Sequence, residues 1–156
     1  MSPGLDEYRR RRDFGKTPEP AAGAGRPSGG RPRFVVQRHD ARALHFDLRL
    51  EIEGVLASWA IPKGLPLRTG VKRLAMRTED HPLEYLDFSG VIPDGQYGAG
   101  RMTIWDRGTF DLVGRTDGGD WWVARSSDSD RFLNEYWGRW DGEMTWLDVL
   151  VDDFAP

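Results

Sequence analysis

The clearest pattern in the chain is the strict alternation from Leu44 to Ile52 (LHFDLRLEI). Leu44, Phe46, Leu48, Leu50 and Ile52 share one face, and His45, Asp47, Arg49 and Glu51 share the other. A period of two marks a half-buried strand, because successive side chains leave a strand on opposite sides. Phe34-Val35-Val36-Gln37 is a short β-branched run before it. Gly54 breaks the pattern ahead of a second apolar run, Val55 to Ile61, which Pro62-Lys63-Gly64 ends. Alternation returns at Arg73 to Arg77, with Leu74 and Met76 expected opposite Arg73, Ala75 and Arg77. Ile92-Pro93-Asp94-Gly95 signals a turn, and Gln96 to Gly100 (QYGAG) a glycine-rich loop. Met102 to Trp105 and Thr109 to Val113 flank Asp106-Arg107-Gly108, which predicts a hairpin.

Helix is expected in two places only: a short turn within Met1 to Phe14, and the end of the chain from about Arg131. Thr17 to Pro32 (TPEPAAGAGRPSGGRP) carries no large apolar residue. Residues 1–32 therefore read as a flexible basic N-terminal arm, with a single folded domain over 33–156. No internal repeat is visible. Many short strands with closely spaced turn signals predict a mainly β fold, a barrel or a sandwich.

Composition narrows the function. The 156 residues include no cysteine, which excludes disulfides, thiolate catalysis and cysteine-based metal sites and fits a cytoplasmic setting. No apolar run reaches the roughly 18 residues of a membrane helix, so no membrane partner is expected. The net charge of −3 argues against a protein that simply coats nucleic acid. Its distribution changes the picture: residues 1–49 carry 11 Lys and Arg against 6 Asp and Glu, whereas 50–156 carry 11 against 19. That asymmetry suggests one phosphate-facing surface on an acidic body.

The polar face of the Leu44–Ile52 strand is the best candidate for chemistry. His45, Asp47 and Arg49 stand on it roughly 6.5–7 Å apart in sequence order. An imidazole beside a carboxylate is a natural metal-ligand pair, and the cation beyond can hold an anion against the ion. His39, placed on the preceding turn, would complete an N,N,O set suited to Mn, Fe, Co or Zn. The same triplet is also the pattern of a surface ladder of cross-strand pairs. His81, held extended by Pro82, is open to three roles: third ligand, general acid or neutral donor. Arg73 and Arg77 on one face favour an anion, and the QYGAG loop offers backbone N–H groups to a phosphate.

The strings RFVVQRHDARALHFDLRLEIEGVLASWAIPKGLP, EDHPLEY and IPDGQYGAGRMTIWDRGTF resemble the 3′-phosphoesterase domain of bacterial DNA ligase D and its stand-alone bacterial and archaeal relatives. The resemblance spans roughly Leu5 to Phe110. It implies a compact β-barrel with a polar, metal-containing cavity and a divalent ion, typically Mn2+, with Co2+ or Zn2+ as other transition-metal occupants. The implied activity is removal of 3′-phosphate and 3′-ribonucleoside groups from DNA 3′ ends during non-homologous end joining, leaving 3′-OH. By position, His39, His45 and Asp47 would hold the metal, Arg49 and His81 would engage the scissile phosphate, and Arg73 and Tyr85 would complete the pocket. Arg12, Asp13, Glu19 and Glu79 fall at accessory positions associated with activity. The implied partners are DNA ends and the ligase, polymerase and end-binding proteins of end joining, with the chain itself a monomer.

Beyond Asp111 the sequence departs from that family, which usually closes with a basic segment. From Met102 onward there are 5 Arg against 12 Asp and Glu, and Trp121, Trp122, Trp137, Trp140 and Trp146 cluster there. These tryptophans suit a base-stacking platform, a buried core or a partner-docking surface. Two other functions fit some residues. One is a non-catalytic module that grips DNA ends or a repair partner. The other is a non-haem Fe(II) oxygenase using His45, Asp47 and His81.

Overall fold

The computed structural model describes residues 5–23, 25–65, 72–116, 119–126, 134–140 and 144–151, with backbone alone for 72, 113–116, 119–121, 126, 134–140 and 144–151. A short helix α1 (Asp6–Arg10) precedes nine strands: β1 (Arg33–Asp40), β2 (Leu44–Ile52), β3 (Val55–Ile61), β4 (Lys72–His81), β5 (Gly90–Ile92), β6 (Gly100–Thr116), β7 (Gly119–Ser126), β8 (Asn134–Trp140) and β9 (Met144–Val151). A 3₁₀ turn, Leu83–Asp87, lies between β4 and β5. The strands pair in the order β1-β2-β3-β4-β9-β8-β7-β6-β5, and β6 pairs again with β1, so the sheet curls back on itself as a barrel. The expected alternative of a sandwich is not formed.

The alternation of β2 is used on both faces. Its apolar face turns inward, where Phe34, Val36, Leu48, Leu50, Trp59 and Trp122 form the interior core. The polar face looks outward, but it is not open to water. Tyr8 from α1 and Leu83, Tyr85 and Phe88 around the 3₁₀ turn pack over it, together with Val35, Leu56 and Met102. The turn between β2 and β3 is tight: Glu53 (φ 51°) and Gly54 (φ 84°) both take left-handed conformations, the combination that suits the twist of a two-residue hairpin.

Several expectations change here. The segment 102–113 is not a hairpin. It lies within the single strand β6, whose middle bonds to β1 on one side and β7 on the other. The end of the chain is not helical where it is described, since 134–140 and 144–151 are paired strands. On β4 the expected alternation holds, and it is the side of Arg73, Ala75 and Arg77 that turns inward: Ala75 is fully buried in the interior core and Met76 is half exposed. The reason is Arg77, whose guanidinium stacks 5.1 Å from the centre of the buried Trp59 ring, so the cationic side of the strand is the one that faces inward. The stretch 1–32 also reaches the core, because Leu5, Tyr8, Thr17 and Glu19 are buried against the barrel. Trp122 is core, while the side chains of Trp121, Trp137, Trp140 and Trp146 fall outside the described residues.

Candidate metal centre

Pairing of β1 with β2 sets His39 directly opposite His45, at the tip of the hairpin they form. His39 is thus a strand residue and does not sit on a turn. His39 Nδ1 lies 3.1 Å from His45 Nε2 and 3.4 Å from an Asp47 oxygen. His45 Nε2 is 3.3 Å from the other Asp47 oxygen. The outward nitrogens of both rings are already used. His39 Nε2 meets the Gly98 carbonyl at 2.7 Å, and His45 Nδ1 meets that of Ala43 at 3.2 Å. A carbonyl can only accept, so each outer nitrogen donates, and the two inner nitrogens, which face Asp47 here, would offer their lone pairs to an ion. Those two nitrogens and one carboxylate converge within 4.8 Å. This donor set, with its outer hydrogen bonds, fits a divalent transition ion.

Charge around Asp47 is strongly biased. Burial opposes its ionisation, but hydrogen bonds from His39 and His45 and the charge of Arg49 outweigh it and hold the carboxyl well below the usual range. The hydrogen bond to Asp47 raises the pKa of His45 against the pull of burial. Arg49 is itself fixed. Its Nε donates to Gln37 Oε1 at 2.7 Å, a terminal nitrogen lies 3.5 Å from Asp47, and its plane sits 4.6 Å from the Tyr85 ring centre. Gln37 is fully buried and donates to the carbonyls of Tyr85 and Phe88, tying Arg49 to the covering turn. Sequence reasoning missed Gln37; its place in a β-branched run, on the same face as His39, was the available signal.

His81 stands at the other wall of a cavity of about 290 Å³ that also takes in His39, His45, Asp47, Arg49 and Tyr85. Its Nδ1 donates to the Glu79 carbonyl at 2.9 Å, with Ser58 Oγ 3.3 Å away, and Nε2 faces an Arg12 nitrogen at 3.4 Å. Burial, then the charges of Arg49 and Arg12, push its pKa well below the ordinary value, so the ring is neutral at pH 7. Its outward nitrogen is therefore an acceptor. Arg12 is the cation that joins the N-terminal segment to this wall. It pairs with Glu19 at 2.8 Å and Glu79 at 3.3 Å, and lies 3.9 Å from the Tyr8 ring centre. Glu19 also accepts from the Tyr85 hydroxyl at 2.7 Å and from Thr17 at 2.9 Å.

Of the residues picked from sequence, nine meet at this cavity: Arg12, Glu19, His39, His45, Asp47, Arg49, Glu79, His81 and Tyr85. Two do not. Asp13 is exposed and shapes the turn after α1 by accepting from the Gly15 N–H at 3.0 Å. Arg73 shares its β4 face with the buried Ala75, on the interior side of the sheet, and its Nε is buried without a hydrogen-bond partner among the described residues. The triad of His45, Asp47 and His81 required by the oxygenase reading is not assembled; among the described residues the ligand cluster is His39, His45 and Asp47.

A curled β-sheet that carries a two-histidine, one-carboxylate centre beside a buried arginine defines a metal-ready hydrolytic or redox domain. Comparison with known proteins decides the family. The profile of the DNA Ligase D 3′-phosphoesterase domain matches residues 37–136. The multifunctional non-homologous end joining DNA repair protein LigD of Mycobacterium tuberculosis is 57% identical over 107 residues, covering 69% of this chain and 14% of that protein. Its counterpart in Pseudomonas aeruginosa is 56% identical over 107 residues, covering 68% and 13%. The chain belongs to the DNA Ligase D 3′-phosphoesterase domain family, and it spans only about one seventh of the length of these relatives. Among the described residues, no helix is long and apolar enough to cross a membrane.

Proposed function

We propose that the chain is a metal-dependent phosphoesterase that heals DNA 3′ ends in non-homologous end joining, removing 3′-phosphate and 3′-ribonucleoside groups to leave 3′-OH. The observation that carries this reading is the convergence of the inward nitrogens of His39 and His45 with Asp47, beside Arg49, in a chain of this family. His39, His45 and Asp47 hold the ion, which we assign as Mn2+ and which supplies Lewis-acid charge at a phosphoryl oxygen when bound. Arg49, locked by Gln37 and Asp47, presents a fixed guanidinium to the phosphate, so little reorganisation is needed as charge develops. Water attacks phosphorus: with a 3′-ribonucleoside the bond to its 5′ oxygen breaks and leaves a 3′-phosphate, with a 3′-phosphate the bond to the 3′ oxygen breaks, and in each case the departing oxygen takes up a proton from solvent. His81, neutral with its proton on Nδ1, stands at the cavity wall as a polar group beside the phosphate, and the proton of the attacking water passes to solvent. The working partners are DNA ends, together with the ligase, polymerase and end-binding proteins of the same repair process. The chain acts as a monomer in the cytoplasm.

The test is a gel assay on a primer–template ending in a 3′-phosphate or a single 3′ ribonucleotide, with Mn2+ or with EDTA. Conversion to 3′-OH ends with Mn2+ alone, lost in His45→Ala while the far-UV circular dichroism is unchanged, is the expected result. No conversion by the wild type, with binding to the same DNA intact, overturns the enzyme reading in favour of a binding module.

A further inference from the structure

Tyr97, in the QYGAG loop, belongs to no part of the chemistry described above, yet it stands at the mouth of the metal-centre cavity. Its side chain lines that cavity and also a second, more open one of about 570 Å³, and Thr78 and Glu79 are shared between the two. Tyr97 is 44% exposed, and its polar end is held. Its hydroxyl accepts from Arg11 at 2.6 Å and points to Glu79 at 3.5 Å. The guanidinium of Arg11 lies 4.8 Å from the ring centre and that of Arg12 5.4 Å. An anchored, half-exposed ring next to a phosphate pocket is a stacking surface held in place before any ligand arrives.

The charges around the second cavity say what it would take. Arg11 and Arg77 line it together with Glu7, Glu79 and Asp80. These pair among themselves and with the arm: Arg11 with Glu7, Arg77 with Asp80 at 2.6 Å, Glu79 with Arg12. Three carboxylates against two guanidiniums do not make a second phosphate site. An aromatic face bordered by both donors and acceptors suits a neutral planar group with polar edges, and the volume lies within the roughly 300–1,000 Å³ of small-ligand pockets. A nucleobase has that chemistry.

We propose that this cavity is a nucleobase subsite in which the base of the nucleotide bearing the scissile phosphate stacks on Tyr97, with Arg11 holding the ring. The proposal deepens the phosphoesterase reading and rests on it. Base–aromatic stacking predicts a binding preference of roughly 5- to 100-fold.

The experiment is a binding titration in EDTA, so that no turnover is needed and failure of catalysis cannot be mistaken for failure of stacking. The probes are two primer–templates with a 3′-phosphate, one ending in 2-aminopurine and one in an abasic residue. The wild type is expected to bind the 2-aminopurine end at least 5-fold more tightly and to quench its fluorescence. Tyr97→Phe is expected to keep both effects and Tyr97→Ala to lose both, with circular dichroism unchanged in each. Equal affinity of the wild type for the two ends, a preference that survives in Tyr97→Ala, or no binding of either DNA would each overturn the subsite.

Discussion

Replacing Arg12 by alanine tests how the site is held shut. The Arg12 side chain is only 4% exposed, and its partners Glu19 and Glu79 are 0% and 6% exposed. Removing the cation leaves two buried carboxylates facing a neutral histidine. Breaking a buried ion pair from one side costs about 3–5 kcal/mol, because the remaining charge has lost its partner but not its burial. Glu19 keeps its bonds from Thr17 and Tyr85, which puts the expected loss near the lower end, about 3 kcal/mol. For a chain of this size that lowers Tm by roughly 6–12 °C. The assay is urea and thermal unfolding followed by tryptophan fluorescence, in EDTA so that metal binding adds nothing. A loss below about 1 kcal/mol, the level of a solvent-exposed pair, would refute the account of Arg12 as the pin that joins the N-terminal segment to the barrel.

Two further outcomes follow from single residues. His81 has a folded-state pKa depressed by burial and by Arg49 and Arg12, so the stability it contributes is present above its unfolded pKa of about 6.5 and is lost as pH falls below that value. The metal-free wild type should therefore lose stability relative to His81→Gln by up to about 1.4 kcal/mol per pH unit below 6.5; equal slopes in urea titrations at pH 7, 6 and 5 would sink the idea. A Cβ at Gly108 would overlap the Arg125 carbonyl and sit 2.8 Å from the Phe34 ring, whereas one at Gly29 meets nothing within 4 Å. Gly108→Ala should cost about 1–3 kcal/mol or more and expose amides of the β6–β7 ladder to exchange, with Gly29→Ala within about 0.5 kcal/mol of wild type; indistinguishable urea midpoints would contradict it.

What could be seen in the sequence was whatever depends on near neighbours. Leu44 to Ile52 announces its strand, its core face and three of the pocket residues because period two is a local property. Glu53-Gly54 announces its turn for the same reason. The parts that were misjudged depend on distant partners. Tyr8 is a buried residue only because Pro20 accepts its hydroxyl hydrogen at 2.6 Å and His81 and Tyr85 pack against its ring. Those partners are up to 77 positions away, so a glycine- and proline-rich stretch read as a passive arm. Asp106-Arg107-Gly108 has turn chemistry, yet Gly108 serves a close approach of β7, and the strand runs straight through. Arg73 and Arg77 looked like an anion-binding face because alternation gives the pairing of sides but not which side is in. Stacking of Arg77 on Trp59 decides that, and it is a tertiary fact.

The position of the candidate metal centre outside the barrel follows from these same constraints. The interior is packed mainly with apolar side chains such as Phe34, Leu48, Leu50, Trp59 and Trp122, and an unpaired buried charge there is too costly to keep. On the outer face the charges can pair with one another, but a face open to water would screen them. The N-terminal segment and the 3₁₀ turn resolve this. Tyr8, Tyr85 and Phe88 cover the face with apolar surface, while Arg12, Glu19 and Gln37 satisfy the polar groups that this cover buries. The electrostatic environment of the candidate site therefore depends on residues 5–20 as much as on His39, His45 and Asp47 themselves.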